Sequence, residues 1–177
     1  MATFIAMLRG VNVGGNILKM DRLRELCDQL GFKNAKTYVQ SGNIVFESTQ
    51  PASALCSLIE NRLNGETRLP VPVIVRTPAE LLKIISINPF VKEKGIDLSK
   101  LHVTFLAKPA GKDALKTLAA INAGSDRFHV SGKEVYLHCP NGYGETKLSN
   151  NALQKVLGVN ATTRNWNTVN KLSEMAK

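Results

Sequence analysis

A chain of 177 residues that is 44% hydrophobic and 21% charged has enough apolar material to bury a core and falls outside the disordered and fibrous classes. No apolar stretch reaches membrane-spanning length, and the run Phe4–Leu8 is closed by Arg9 too soon for a secretory signal, so a cytoplasmic protein without a membrane partner is expected. Three widely separated cysteines, Cys27, Cys56 and Cys139, fit reduced thiols rather than a disulfide framework, and the net charge of +9 makes an anionic partner reasonable.

Thr3–Leu8 is short, apolar and followed by glycine, and reads as a buried strand. Met20, Leu23, Leu26, Cys27 and Leu30 then recur at helical spacing up to Gly31, with Asp21 near the helix start. Thr37–Ser41 and Ile44–Ser48 read as a hairpin closed by a two-residue Gly42-Asn43 turn. Pro51 opens a helix that buries Leu55, Leu58, Ile59 and Leu63 and ends at Gly65, and Val71–Arg76 is a further strand. The order β-α-β-β-α-β is the ferredoxin-like arrangement. Thr77, Pro78 and Glu80 form a capping box before a helix that carries Leu81, Leu82 and Ile85 toward Asn88-Pro89-Phe90.

Residues 89–100 read as a connector, after which the pattern repeats. The second cycle comprises strand His102–Ala107, helix Lys112–Asn122, strands Arg127–Ser131 and Glu134–Cys139, helix Ser149–Leu157 and a short segment at Ala161–Asn165. Ser41-Gly42-Asn43-Ile44-Val45-Phe46 aligns with Ser131-Gly132-Lys133-Glu134-Val135-Tyr136, Leu63 with Leu153, and Leu82 with Leu172, which indicates an internal duplication. The expected fold class is therefore α+β, a tandem duplication of ferredoxin-like units with antiparallel sheets, divided as residues 1–88 and 89–177. The alignment carries one inconsistency. Alternation puts Val39, Ile44 and Phe46 on one side of the first hairpin, but Phe128, Val130, Val135 and Leu137 at the opposite parity in the second.

The loop Arg9-Gly10-Val11-Asn12-Val13-Gly14-Gly15-Asn16 is the densest chemical signal. Glycines allow positive φ and close backbone approach, and consecutive N–H groups can form an anion site beside Arg9. Arg9, Asn12, Gly14, Gly15 and Lys19 are ligand candidates, weighed against a loop whose glycines serve only its turns. It is not a P-loop, because Asn16-Ile17 stand where lysine and serine or threonine are needed. Ser41 and Asn43, at a hairpin tip, are turn formers first and ligand contacts second. Ser41 lacks a nucleophile elbow and the first half holds no histidine, so a serine hydrolase is not expected. His129 and His138 share a hairpin face without an acidic or thiolate set around them, so neither a metal nor a cofactor is expected.

In the second half, Thr162-Thr163-Arg164-Asn165-Trp166-Asn167 combines a guanidinium, amides and the only tryptophan. Arg164, Asn165 and Trp166 suit an anion or a stacked ring; equally, Trp166 suits the core and Asn167 a helix cap. Tyr143 and Lys147 join the candidates from a loop that the first half lacks.

LRGVNVGG at 8–15, TYVQSGNIVF at 37–46, NPF at 88–90 and ATTRNWNTVNKL at 161–172 together resemble the bacterial family known as domain of unknown function 1697. The resemblance implies two tandem ferredoxin-like units and supplies no reaction or ligand. The functional expectation is a small phosphate-bearing or nucleotide-like ligand held between the halves. The alternatives are a basic nucleic-acid module, the second half carrying net +6 against +3 in the first, and an enzyme acting on a phosphorylated substrate. The third strands lack the aromatic pair with which RNA-recognition motifs stack bases.

Overall fold

The computed structural model describes residues 1–67 and 69–177. Strand β1 (Ala2–Leu8) is followed by helix α1 (Met20–Gln29), strands β2 (Lys33–Tyr38) and β3 (Asn43–Ser48), helix α2 (Ala52–Asn64), strand β4 (Val73–Arg76) and helix α3 (Pro78–Ser86). The four strands form one antiparallel sheet in the order β2-β3-β1-β4. Phe4 pairs with Phe46 and Ala6 with Ile44, so these side chains share the face covered by Leu23, Leu26 and Cys27 of α1 and Leu55, Ile59 and Leu63 of α2. The stacked rings of Phe32 and Phe46, 4.3 Å apart, lie in this core.

The second cycle consists of β5 (Leu101–Leu106), α4 (Lys112–Ala119), β6 (Arg127–Ser131), β7 (Glu134–His138), α5 (Asn150–Leu157), β8 (Ala161–Asn165) and α6 (Trp166–Met175). Its sheet runs β6-β7-β5-β8 and is likewise antiparallel. Leu106, Val135, Leu137, Leu153 and Leu157 form its core with Leu118 of α4. Both halves thus have the expected β-α-β-β-α-β order.

The chain divides into two compact units, Met1–Lys83 with Lys171–Lys177 and Ile84–Asn170. The divisions fall inside α3 and α6, not at the 88/89 boundary read from the sequence, and the last seven residues return to the first unit. In each sheet the face away from the core just described is buried too, through Ile5, Met7 and Val45 in the first and Val103, Phe105 and Tyr136 in the second. Tyr136 donates its hydroxyl to the Ile84 carbonyl at 2.9 Å within the second unit.

The parity conflict resolves at the first hairpin. Tyr38 pairs with Asn43, so the connection is the four-residue loop Val39–Gly42 rather than a two-residue turn, whereas Ser131 pairs with Glu134 across Gly132-Lys133. Ile44 therefore corresponds to Val135 and Phe46 to Leu137, one residue beyond the alignment drawn from Ser41 and Ser131, and Val39 belongs to no strand. The other end of the repeat shifts as well. Arg76 opposite Ile5 matches Arg164 opposite Val103, which sets Leu172 against Ile84 instead of Leu82.

Candidate functional site

In the first unit the two sequence motifs meet at one end of the sheet. The Asn12 amide donates to the carbonyls of Leu18 (3.0 Å) and Gln40 (2.6 Å), while its oxygen accepts the Leu18 N–H at 2.9 Å. One side chain thereby closes the glycine loop and ties it to the hairpin. Val13 and Asn16 bracket a turn through Gly14 and Gly15, both at positive φ, and the Asn16 amide donates to the Gly10 carbonyl at 3.1 Å. Val11 and Leu18 anchor the loop in the core, leaving Val13, Gly14, Gly15 and Lys19 exposed. Asn43 is wholly buried and donates to the Tyr38 carbonyl (2.9 Å) and the Ser41 hydroxyl (3.1 Å). The amide of Asn12 is thus committed to the backbone, and that of Asn43 to a backbone carbonyl and the Ser41 hydroxyl. Arg9 leaves β1 through an N–H bond to the Pro72 carbonyl and is half-buried.

The second unit places its candidates differently. Asn165 ends β8 opposite His102 of β5, and its side-chain oxygen accepts the Thr168 N–H at 2.8 Å. Asn165, not Asn167, is therefore the cap of α6, which starts at Trp166. Tyr143 stacks its ring on His102 at 4.7 Å and accepts the Asn150 N–H through its hydroxyl at 2.7 Å. Asn150 in turn accepts the Thr163 hydroxyl at 3.1 Å, and Thr163 bonds Thr104 at 2.7 Å.

Beside this ladder lies an open hollow of ≈ 420 Å³, lined by Leu98, Ser99, His102, Asn165, Trp166, Asn167 and Asn170. Asn167 and Asn170 stand three residues apart and so share one helix face. Asn170 reaches back to donate to the Trp166 carbonyl at 2.8 Å. Burial holds the His102 imidazole below its usual pKa, against an opposing effect of the Lys100 carbonyl, so the ring is neutral at pH 7. Among the described residues its buried Nδ1 has no hydrogen-bond partner. Another, smaller recess, ≈ 210 Å³ beside Asn34, Lys36 and Glu47 in the first unit, contains none of the candidates.

The model of a family described as a protein of unknown function (DUF1697) matches residues 1–136. The chain belongs to the DUF1697 family. This DUF1697 protein is also similar to a conserved bacterial protein, SP0830 from Streptococcus pneumoniae, at a TM-score of 0.81 over 99% of this chain and 98% of that one, with 19% identity. At that identity the likeness speaks to the fold alone. No curated protein matches the chain. The DUF1697 match takes in the glycine loop, the first hairpin and the Leu98–His102 wall of the hollow, and ends before the wall formed by Asn165–Asn170.

Of the remaining candidates in this DUF1697 chain, Arg164 points to the face of β8 opposite Asn165. It donates to the Thr162 hydroxyl (2.8 Å) and the Thr163 carbonyl (2.9 Å). Burial pulls its guanidinium down to about 10, which leaves it charged at neutral pH. Trp166 is 7% exposed, so most of the indole is core and only an edge reaches the hollow. Lys147 is exposed on the loop that carries Tyr143. Sequence reasoning missed Leu98, Ser99, His102 and Asn170; the spacing of Asn167 and Asn170 was the available signal. Among the described residues no group of three or more His, Cys, Asp or Glu is placed to hold a metal, and no helix is long and apolar enough to cross a membrane.

Proposed function

We propose that this DUF1697 protein binds a small nucleotide-like ligand, and that the hollow at the start of α6 is where it does so. The observation that supports this reading is the convergence on one ≈ 420 Å³ hollow of a neutral imidazole, three side-chain amides, a hydroxyl and an indole edge. Such a size and a mixture of apolar walls with a few directed polar groups are those of small-molecule sites. The glycine loop of the first unit serves as a rigid, self-bonded turn in this reading, since its asparagines are spent on backbone groups.

The test is a thermal-shift and calorimetric titration with adenosine, guanosine, cytidine and uridine 5′-monophosphates. A ligand at 100 times its Kd adds about 2.7 kcal/mol, which raises Tm by several degrees in a chain of this size. Asn167→Leu, at an exposed side chain that makes no hydrogen bond among the described residues, is expected to keep the unliganded Tm and to reduce affinity at least tenfold. Absence of any shift with all four monophosphates overturns the reading.

A further inference from the structure

We infer that the hollow holds the base of the nucleotide and leaves the phosphate outside, an inference that rests on the reading above and sharpens it. None of the side chains lining the hollow carries a carboxylate, an ammonium or a guanidinium. The nearest candidate cation in sequence, Arg164, faces the other side of β8 and is bonded to Thr162 and the Thr163 carbonyl.

The spare hydrogen-bonding capacity decides what fits. Asn165 spends its oxygen on the Thr168 N–H and keeps both amide protons, while Asn170 spends one amide proton on the Trp166 carbonyl and keeps the other together with its oxygen. Ser99 donates its hydroxyl to Asp97 at 2.6 Å, so toward the hollow it offers only lone pairs. Asn167 contributes a donor and an acceptor. Donors and acceptors are therefore mixed along one wall. A phosphate presents acceptors almost exclusively, and some of its oxygens would lie against the lone pairs of Ser99 and of the Asn170 carbonyl oxygen. The edge of a nucleobase alternates N–H donors with C=O or ring-nitrogen acceptors and matches such a wall. The Leu98 side chain, about half exposed, and the imidazole of His102 supply the apolar surface that a flat ring needs.

The experiment is isothermal titration of the full chain with adenosine, guanosine, cytidine and uridine, their 5′-monophosphates, ribose 5-phosphate and inorganic phosphate. Asn165→Asp is the companion variant, because it retains the oxygen that caps α6 and exchanges the spare donor for an acceptor. The expected result is that at least one nucleoside binds within tenfold of its monophosphate, that ribose 5-phosphate and phosphate neither bind nor compete, and that Asn165→Asp weakens the nucleoside at least tenfold at unchanged Tm. If monophosphates bind, ribose 5-phosphate competes with equal strength and nucleosides do not bind, the hollow is a phosphate site: this inference falls and the nucleotide reading stands. If neither monophosphates nor nucleosides bind, the nucleotide reading itself falls.

Discussion

Gly42 is where the structure makes its sharpest energetic statement. The residue sits at φ +79, and a Cβ added there would lie 2.5 Å from Val11 Cγ2 and 3.0 Å from Leu8 Cβ. Two costs therefore add in Gly42→Ala: about 1–2 kcal/mol for an L-residue in the left-handed region, and about 1–3 kcal/mol for forcing a methyl into a packed contact. Gly14 supplies the control, since it also has positive φ, at +57, but nothing lies within 4 Å of its added Cβ. Gly14→Ala is expected to incur only the first cost. Urea unfolding followed by circular dichroism reads the difference. With an m-value of about 2 kcal/mol/M, the extra 1–3 kcal/mol places the Gly42→Ala midpoint about 0.5–1.5 M below that of Gly14→Ala. Val11→Ala removes the nearer obstacle, so the double variant Val11→Ala with Gly42→Ala should be less destabilised than the sum of the two singles. Equal midpoints for the two glycine variants, with strict additivity in the double, would refute the claim that the glycine loop and the hairpin meet at this point.

Asn12→Ala removes three hydrogen bonds that close the loop and join it to Gln40, at about 1 kcal/mol each, and should cost about 2–4 kcal/mol with faster amide exchange over residues 10–18. For His102, burial lowers the folded pKa below the unfolded value of 6.5, so below 6.5 the unfolded chain binds more protons and stability falls with acidification until the folded pKa is passed. His102→Phe, which keeps the ring against Tyr143, should flatten that limb in urea midpoints measured between about pH 7 and pH 5. Burial raises all three thiols, Cys27 up to about 12, but Cys56 is only half-buried, so a thiol reagent at mildly alkaline pH should label Cys56 first and reach the buried Cys27 and Cys139 only on unfolding.

The fold was legible because its periodicities are local. Leu23, Leu26 and Cys27 in α1, or Leu55, Ile59 and Leu63 in α2, announce a buried face within three turns of chain, and the structure buries those side chains. The first hairpin was read wrongly because Gly42-Asn43 has the composition of a tight turn. Asn43 instead turns inward to satisfy Tyr38 and Ser41, which lengthens the loop and moves the register. That one shift explains why the two repeats appeared out of phase. In the site, the polar-aromatic run around Trp166 pointed to the correct segment, but its opposite wall, Ser99 and His102, lies more than sixty residues away in the chain. Only the pairing of β5 with β8 brings the two together, and no spacing rule anticipates a particular long-range partner.

The first unit is discontinuous, since it comprises residues 1–83 and 171–177 while the second is the unbroken stretch between them. On the ribosome this reverses the order that the numbering suggests. Residues 1–83 emerge first but lack Leu172 and Ala176, both buried in the finished protein, until the whole 87-residue second unit and then the C-terminal segment have been made. At 5–20 residues per second that wait is roughly 5–19 s, whereas the second unit has all of its residues as soon as Asn170 has been made. The half synthesised first is thus completed last, and its incomplete surface is the one exposed to chaperones and proteases during synthesis.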